Sequence, residues 1–256
     1  MSSEIIIEKL SIKYRSSIVF ENVSLDIKKS EFFVLLGPSG CGKTTLLNAI
    51  AGFLKPHSGK IYVDGKEVKQ PGLDRCVIFQ NAESALFPWM TVKENSEFGL
   101  KLRNIGSKEE RNSLIKKFLK KTNLDGHEAK YPKELSGGMK QRLQLARTLV
   151  MNPPIILMDE PFANLDAQTR RLMQLELIEI WRETRNTIFY ITHDLREAVI
   201  LGKRIAVMSR GPKAVIKNIY KLENHYPRDL TTNECNNLLR EIEENLIEEV
   251  RIGENN

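Results

Sequence analysis

The chain has 256 residues, 41% of them hydrophobic and 28% charged, with a formal net charge of +6. At roughly 100–200 residues per domain this fits one domain or two lobes of ordinary globular composition. The basic balance suits an anionic ligand, anionic lipid or nucleic acid and chooses among none of them. Residues 1–10 lack a signal-peptide core and there is no run of 18 consecutive apolar residues, so the expectation is a cytoplasmic protein that does not itself span a membrane. Cys41, Cys76 and Cys235 have no metal-ligand spacing and predict free thiols in a reducing compartment.

Residues 5–13 and 18–27 alternate as an antiparallel strand pair. Between them lies Tyr14, either a half-buried strand aromatic or a stacking surface for a base, worth ~1–3 kcal/mol in comparable settings. Residues 31–36 read as a buried strand feeding the stretch Gly37, Pro38, Ser39, Gly40, Cys41, Gly42, Lys43, Thr44 and Thr45, and a helix over residues 45–51 leaves it. Gly37 and Gly42 flank four residues and Lys43-Thr44 follows, which is the phosphate-loop spacing. Gly37, Gly40 and Gly42 let the backbone curl so that several N–H groups face one anion, with the positive end of the helix behind them. Lys43 then reaches the β- and γ-phosphates and Thr44 offers its hydroxyl to Mg²⁺. Cys41 sits inside this loop, a setting that can lower a thiol pKa and sensitise it to oxidation.

Gly52, Pro56 and a Ser58-Gly59 turn end that helix, and residues 60–65 form a short strand into an Asp-Gly turn. Residues 76–79 predict a buried strand ending in Gln80, whose amide oxygen either touches Mg²⁺ or the attacking water or is merely a surface group. Helical periodicity then takes over, with helices over residues 92–102, 108–122 and 137–150 forming an all-helical lobe. The lysines of residues 116–121 read as the solvated face of an amphipathic helix. The last of these helices opens on Ser136-Gly137-Gly138, an N-cap with two glycines that makes a second anion-binding terminus and invites the idea of one nucleotide shared between two chains.

The apolar run 155–158 ends in Asp159-Glu160, the pattern of a central parallel strand facing the nucleotide. Asp159 suits a role on Mg²⁺, and Glu160 suits orienting or deprotonating the attacking water. A helix over residues 167–183 and a strand over residues 187–192 follow, delivering His193. That histidine is either structural or a γ-phosphate contact, held at a corner by an Asp194/Glu197 capping box. Strands over residues 204–209 and 214–219 close the core. The tail, residues 232–250, puts Leu238, Leu239, Ile242, Leu246 and Val250 on one helical face for packing or for a partner.

Together these residues resemble the ATP-binding cassette (ABC) family over nearly the whole chain. GPSGCGKTT matches its Walker A motif, LSGGMKQR its signature and IILMDEP its Walker B motif with the catalytic glutamate. Tyr14, Gln80, Asp166 and His193 fall at its A, Q, D and H loops. The resemblance implies an α/β fold: a P-loop NTPase core of mixed sheet with an antiparallel β-subdomain (residues 1–81 and 151–220), an inserted helical subdomain (82–150) and a tail (221–256). It implies an ATPase using ATP and Mg²⁺, with Glu160, His193, Lys43 and Gln80 catalytic and Thr44, Gln80 and Asp159 around the metal. It implies head-to-tail homodimers in which Ser136, Gly137, Gly138 and Asp166 complete the partner's site. Residues 79–95, with Pro88-Trp89 and TVKEN, look like the importer ATPases of the nitrate, sulfonate and taurine group. That group works peripherally on the inner membrane face, with permease subunits and indirectly an external substrate-binding protein. Ser96-Glu97 departs from the group's usual apolar pair. Direct nucleic-acid binding is not expected, and a soluble cassette ATPase on nucleic acid or ribosomes and an exporter ATPase are the rivals.

Overall fold

The computed structural model describes residues 3–14, 17–222 and 226–254. Strands β1 (Ser3–Tyr14) and β2 (Ser17–Lys28) pair antiparallel, and β4 (Ser58–Val63) and β5 (Lys66–Glu67) extend them into a sheet of order β2-β1-β4-β5. Ser58 already pairs with Ser11, so the expected Ser58-Gly59 turn is instead the start of β4. The second sheet has the order β10-β9-β3-β8-β7-β6, from β3 (Phe32–Leu36), β6 (Arg75–Ile78), β7 (Ile155–Asp159), β8 (Thr187–Thr192), β9 (Arg204–Met208) and β10 (Ile216–Lys221). It is parallel except for β10, which turns back antiparallel on β9.

Side chains of successive strand residues point to opposite faces, so β3 serves two cores at once. Phe33 and Leu35 pack with the antiparallel sheet and with Leu46, Leu47 and Ile50 of helix α1 (Lys43–Ala51), which lies between the sheets. Phe32, Val34 and Leu36 face the other way, toward the helical lobe and the later helices. A parallel sheet covered on both sides explains the uninterrupted apolar runs of β3, β7 and β8. The strand at residues 76–79 departs from expectation: β6 is an edge strand, Cys76 and Val77 are half-buried, and Phe79 stands exposed.

The lobe comprises the one-turn α2 (Ala82–Ala85), α3 (Val92–Leu102), α4 (Lys108–Lys121), a short 3-10 turn (Pro132–Glu134) and α5 (Gly137–Val150). Thr91 with Glu94, and Ser107 with Glu110, close capping boxes that start α3 and α4 where the sequence places them. On α4, Ile115, Phe118 and Leu119 are buried and Lys116, Lys117 and Lys120 exposed. Glu97 is buried yet satisfied, bridging to Lys101 at 2.9 Å and Arg111 at 3.1 Å, which is how this chain accommodates an acid in place of an apolar residue. Beyond α6 (Ala167–Thr184) and α7 (Leu195–Leu201), helix α8 (Asn233–Glu254) packs buried Ile242, with Leu238, Leu239 and Leu246 beside it, onto the core. The side chain of Val250, expected on the same face, lies outside the described residues.

Asn95 fixes the loop that leads into α3. Fully buried, it accepts from the Phe87 N–H at 2.9 Å and donates to the carbonyls of Phe87, Met90 and Thr91. That loop presents Trp89, which is 70% exposed. Asn95→Ala leaves those backbone groups without partners and is expected to destabilise the lobe by about 1–3 kcal/mol. Thermal denaturation checks this, and a loss below about 0.5 kcal/mol contradicts it.

Candidate functional site

The carboxyl ends of neighbouring strands meet along one edge of the parallel sheet. Leu36 of β3 pairs with Thr192 of β8, Ile191 of β8 with Asp159 of β7, and Met158 of β7 with Ile78 of β6. The residues one or two steps on are therefore Gly37, His193, Glu160 and Gln80, side by side on adjacent strand ends about 4.8 Å apart. This is the edge where open α/β sheets hold ligands.

The loop between β3 and α1 has Gly40 and Gly42 in the left-handed region, at φ 79° and 106°. A side chain at Gly42 would also come within 2.6 Å of Val19 Cγ1, so the sharp entry to α1 admits only glycine. No side chain caps α1. The helices α3 to α7, by contrast, are capped by Thr91, Ser107, Ser136, Asp166 and Asp194. The first N–H groups of α1 are thus left for an anion. Lys43 is buried, its Nζ donating to the carbonyls of Gly37 at 2.8 Å and Pro38 at 3.0 Å and standing 3.7 Å from Glu160.

Thr44 Oγ1 donates to Asp159 Oδ1 at 3.1 Å, joining loop to strand end. Burial pushes the Asp159 carboxyl above its usual range, with the Thr44 hydrogen bond pulling the other way. A buried carboxylate of this kind gains from a cation, and the hydroxyl-carboxylate pair suits a hard divalent ion. Among the described residues no three His, Cys, Asp or Glu side chains converge on one point.

Glu160 sits at φ 42°, a conformation costing an acid about 1 kcal/mol or more, and strain of this kind clusters at functional sites. Its Oε2 lies 2.7 Å from His193 Nδ1, so acid and histidine form a pair in which Nε2 is the ring nitrogen left for a further contact. The expected Asp194/Glu197 capping box is only half present. Asp194 accepts from the Glu197 N–H, but the Glu197 carboxylate turns inward to Thr192 Oγ1 and Gln174 Nε2, and the Asp194 N–H goes to Thr192.

Gln80 is exposed, and the contact that ties it down is through its backbone, whose carbonyl accepts from Gln141 Nε2 of α5. Gln144, in the amide orientation its neighbours require, bonds both the N–H and the carbonyl of Phe79. Ser136, Gly137 and Gly138 are not brought onto the phosphate loop of their own chain. Ser136 caps α5 through the Met139 N–H, a side chain at Gly137 would meet open space, and Gly138 packs close to Thr169 of α6. Asp166 caps α6 through the Thr169 N–H, which holds its carboxyl below the usual range, and is exposed. The side chain of Tyr14 lies outside the described residues.

The expectation of a lowered Cys41 pKa is corrected. The thiol is buried, and that desolvation raises its pKa despite the opposing charge of Lys43. Three contributors escaped the sequence reading: Gln141 and Gln144, which bind the β6 end to α5, and Arg170, which reaches Asp194. The first two stand inside or beside the signature, where amides at a spacing of three share a helix face.

A phosphate loop, an acid pair and a histidine on successive strand ends, with an antiparallel sheet on one side and a helical lobe on the other, define a P-loop ATP-binding cassette. Comparison with known proteins agrees. The family described as ABC transporter matches residues 20–163. An uncharacterized ABC transporter ATP-binding protein of Methanocaldococcus jannaschii is 50% identical over 212 residues, 83% of this chain and 78% of that protein. The taurine import ATP-binding protein of Escherichia coli O157:H7 is 44% identical over 213 residues, 83% of this chain and 82% of its own. A solved ATP-binding cassette, a dimeric post-hydrolysis state bound to ADP and Pi, superposes with a TM-score of 0.74 at 31% identity, covering 86% of this chain and all (100%) of that one. The chain belongs to the ABC transporter family, as one of its ATP-hydrolysing cassettes.

Proposed function

We propose that this chain is the ATPase subunit of a membrane importer for a small solute of the taurine or sulfonate kind, acting as a head-to-tail homodimer. The observation that carries the catalytic part is the convergence of Lys43, the Thr44-Asp159 pair and the Glu160-His193 pair at neighbouring strand ends. In this reading the N–H groups from Gly37 to Thr45 and the Lys43 ammonium bind the β- and γ-phosphates. Thr44, Asp159 and Gln80 would hold Mg²⁺, which supplies charge neutralisation on the transferred group. Glu160 takes a proton from water as its oxygen attacks the γ-phosphorus, the bond to the β-phosphate oxygen breaks, and ADP leaves with its negative charge spread over Lys43 and the loop. His193 Nε2 steadies the γ-phosphate, and Tyr14 stacks on the adenine.

The partner chain's Ser136, Gly137 and Gly138 complete the site from the opposite side. Two observations support this: Gly137 is open to approach, and the N-terminus of α5 is not brought onto its own chain's phosphate loop. In this reading the lobe of residues 82–150 is coupled to Gln80, which is supported by the bonds of Gln141 to the Gln80 carbonyl and of Gln144 to the backbone of Phe79.

The importer part rests on the relatives' names and on the surface beside Gln80. Phe53 and Phe79 are exposed, their rings stacked 6.5 Å apart, and Trp89 projects nearby in sequence. Apolar side chains presented this way suit a permease helix. Among the described residues no helix is long and apolar enough to cross a membrane, and in this reading transport runs through a separate membrane-spanning partner. A peripheral place on the inner membrane face and an external substrate-binding protein complete the proposal. Purification of the tagged chain from native membranes in mild detergent should bring a multi-spanning permease with it. Recovery of ribosomal or nucleic-acid-binding proteins alone overturns the transport reading.

A further inference from the structure

Helix α6 reaches both residues that flank His193, Asp194 directly and Thr192 through Glu197. Arg170, four residues after the N-cap Asp166, donates from one terminal nitrogen to the Leu165 carbonyl at 3.0 Å and from the other to Asp194 Oδ2 at 3.4 Å. One turn on, Gln174 donates to Glu197 at 3.2 Å, and Glu197 in turn accepts from Thr192 Oγ1. Arg170, Thr192, Asp194 and Glu197 border a small cavity of about 30 Å³ that Glu160 and His193 also line. Arg170 Nε is buried and has no acceptor among the described residues. One planar guanidinium therefore spans two loops: the one that carries the exposed Asp166, and the corner that places His193 against Glu160. A lysine, with a single charged nitrogen, cannot hold both oxygens in that fixed fork.

We propose that Arg170 is a positioning residue for hydrolysis, transmitting the docking of a second copy against Asp166 into the alignment of His193 with Glu160. The proposal rests on the dimeric ATPase reading above. Arg170 and Asp194 are each about a third exposed, at 30% and 34%, so their ion pair adds little to folding stability, and its removal should be felt in turnover. Misplacement of a reacting group by about 1 Å costs on the order of 100-fold in rate, which bounds the effect from above.

The test is steady-state hydrolysis of Mg-ATP by the full-length chain, with thermal midpoints measured alongside. Arg170→Ala is expected to lower kcat by about 10- to 100-fold with KM unchanged, the Hill coefficient for ATP falling toward one and the thermal midpoint close to wild type. Arg170→Lys should recover only part of the loss. Asp194→Asn, which keeps the cap on α7 but loses the charge, should resemble Arg170→Ala, and the double variant should be no slower than either single one, because both changes break one link. A wild-type kcat in Arg170→Ala, a loss confined to KM, or multiplicative losses in the double variant each overturn the proposal alone. A wild-type chain that hydrolyses no ATP overturns the ATPase reading, and this proposal with it.

Discussion

Replacing Glu160 by glutamine is expected to lower ATP turnover by about 10²–10⁴-fold while leaving nucleotide affinity near wild type. The two side chains have the same shape, so the left-handed backbone at φ 42° is equally served, and the amide oxygen can still face His193 Nδ1 across 2.7 Å. What disappears is the capacity to take a proton from water. The negative charge 3.7 Å from Lys43 also goes, which leaves the ammonium freer to turn toward phosphate, so binding holds or strengthens. In the proposed head-to-tail dimer, an ATP bound between two chains and not hydrolysed should keep them together. Size-exclusion chromatography of Glu160→Gln with ATP should show a dimer that ADP does not support. Wild-type turnover in this variant contradicts the assignment of the attacking-water role.

The strands and helices that bear the site were legible because their patterns are local. The run ending in Asp159-Glu160 reads as a buried parallel strand, and β7 occupies Ile155–Asp159. The helices at Val92–Leu102 and Gly137–Val150 begin where their periodicity places them, the second behind Ser136, whose cap is visible in the sequence. What the sequence hides is set by distant neighbours. Residues 76–79 are apolar enough for a central strand, yet the topology puts β6 at the sheet edge and leaves Phe79 exposed. Glu197 has the right spacing to close a box with Asp194, but the inward pull of Thr192 and Gln174 wins, and Gln174 comes from a different helix. For Cys41 the place inside the phosphate loop is visible in the sequence, whereas the burial that raises its pKa follows from packing between the sheets.

Lys43→Ala is expected to weaken ATP binding by at least about 100-fold, the second large effect. A hydrogen bond to a charged partner contributes about 1.5–3 kcal/mol, and a tenfold change in affinity corresponds to about 1.4 kcal/mol, so two phosphate contacts of this kind account for that loss or more. The surroundings add to it. Lys43 stands 3.7 Å from Glu160, and the alanine would remove that positive charge from between the carboxylate and a triphosphate. Arginine should rescue poorly, since the Gly37 and Pro38 carbonyls accept from a compact ammonium whose geometry a planar fork does not reproduce. Titration with ATP in the Glu160→Gln background separates binding from turnover, and unchanged affinity there removes Lys43 from the phosphate site. Because Arg170→Ala is expected to keep KM and lose kcat, while Lys43→Ala loses the nucleotide itself, the two variants divide the strand-end cluster into a part that holds phosphate and a part that aims the water.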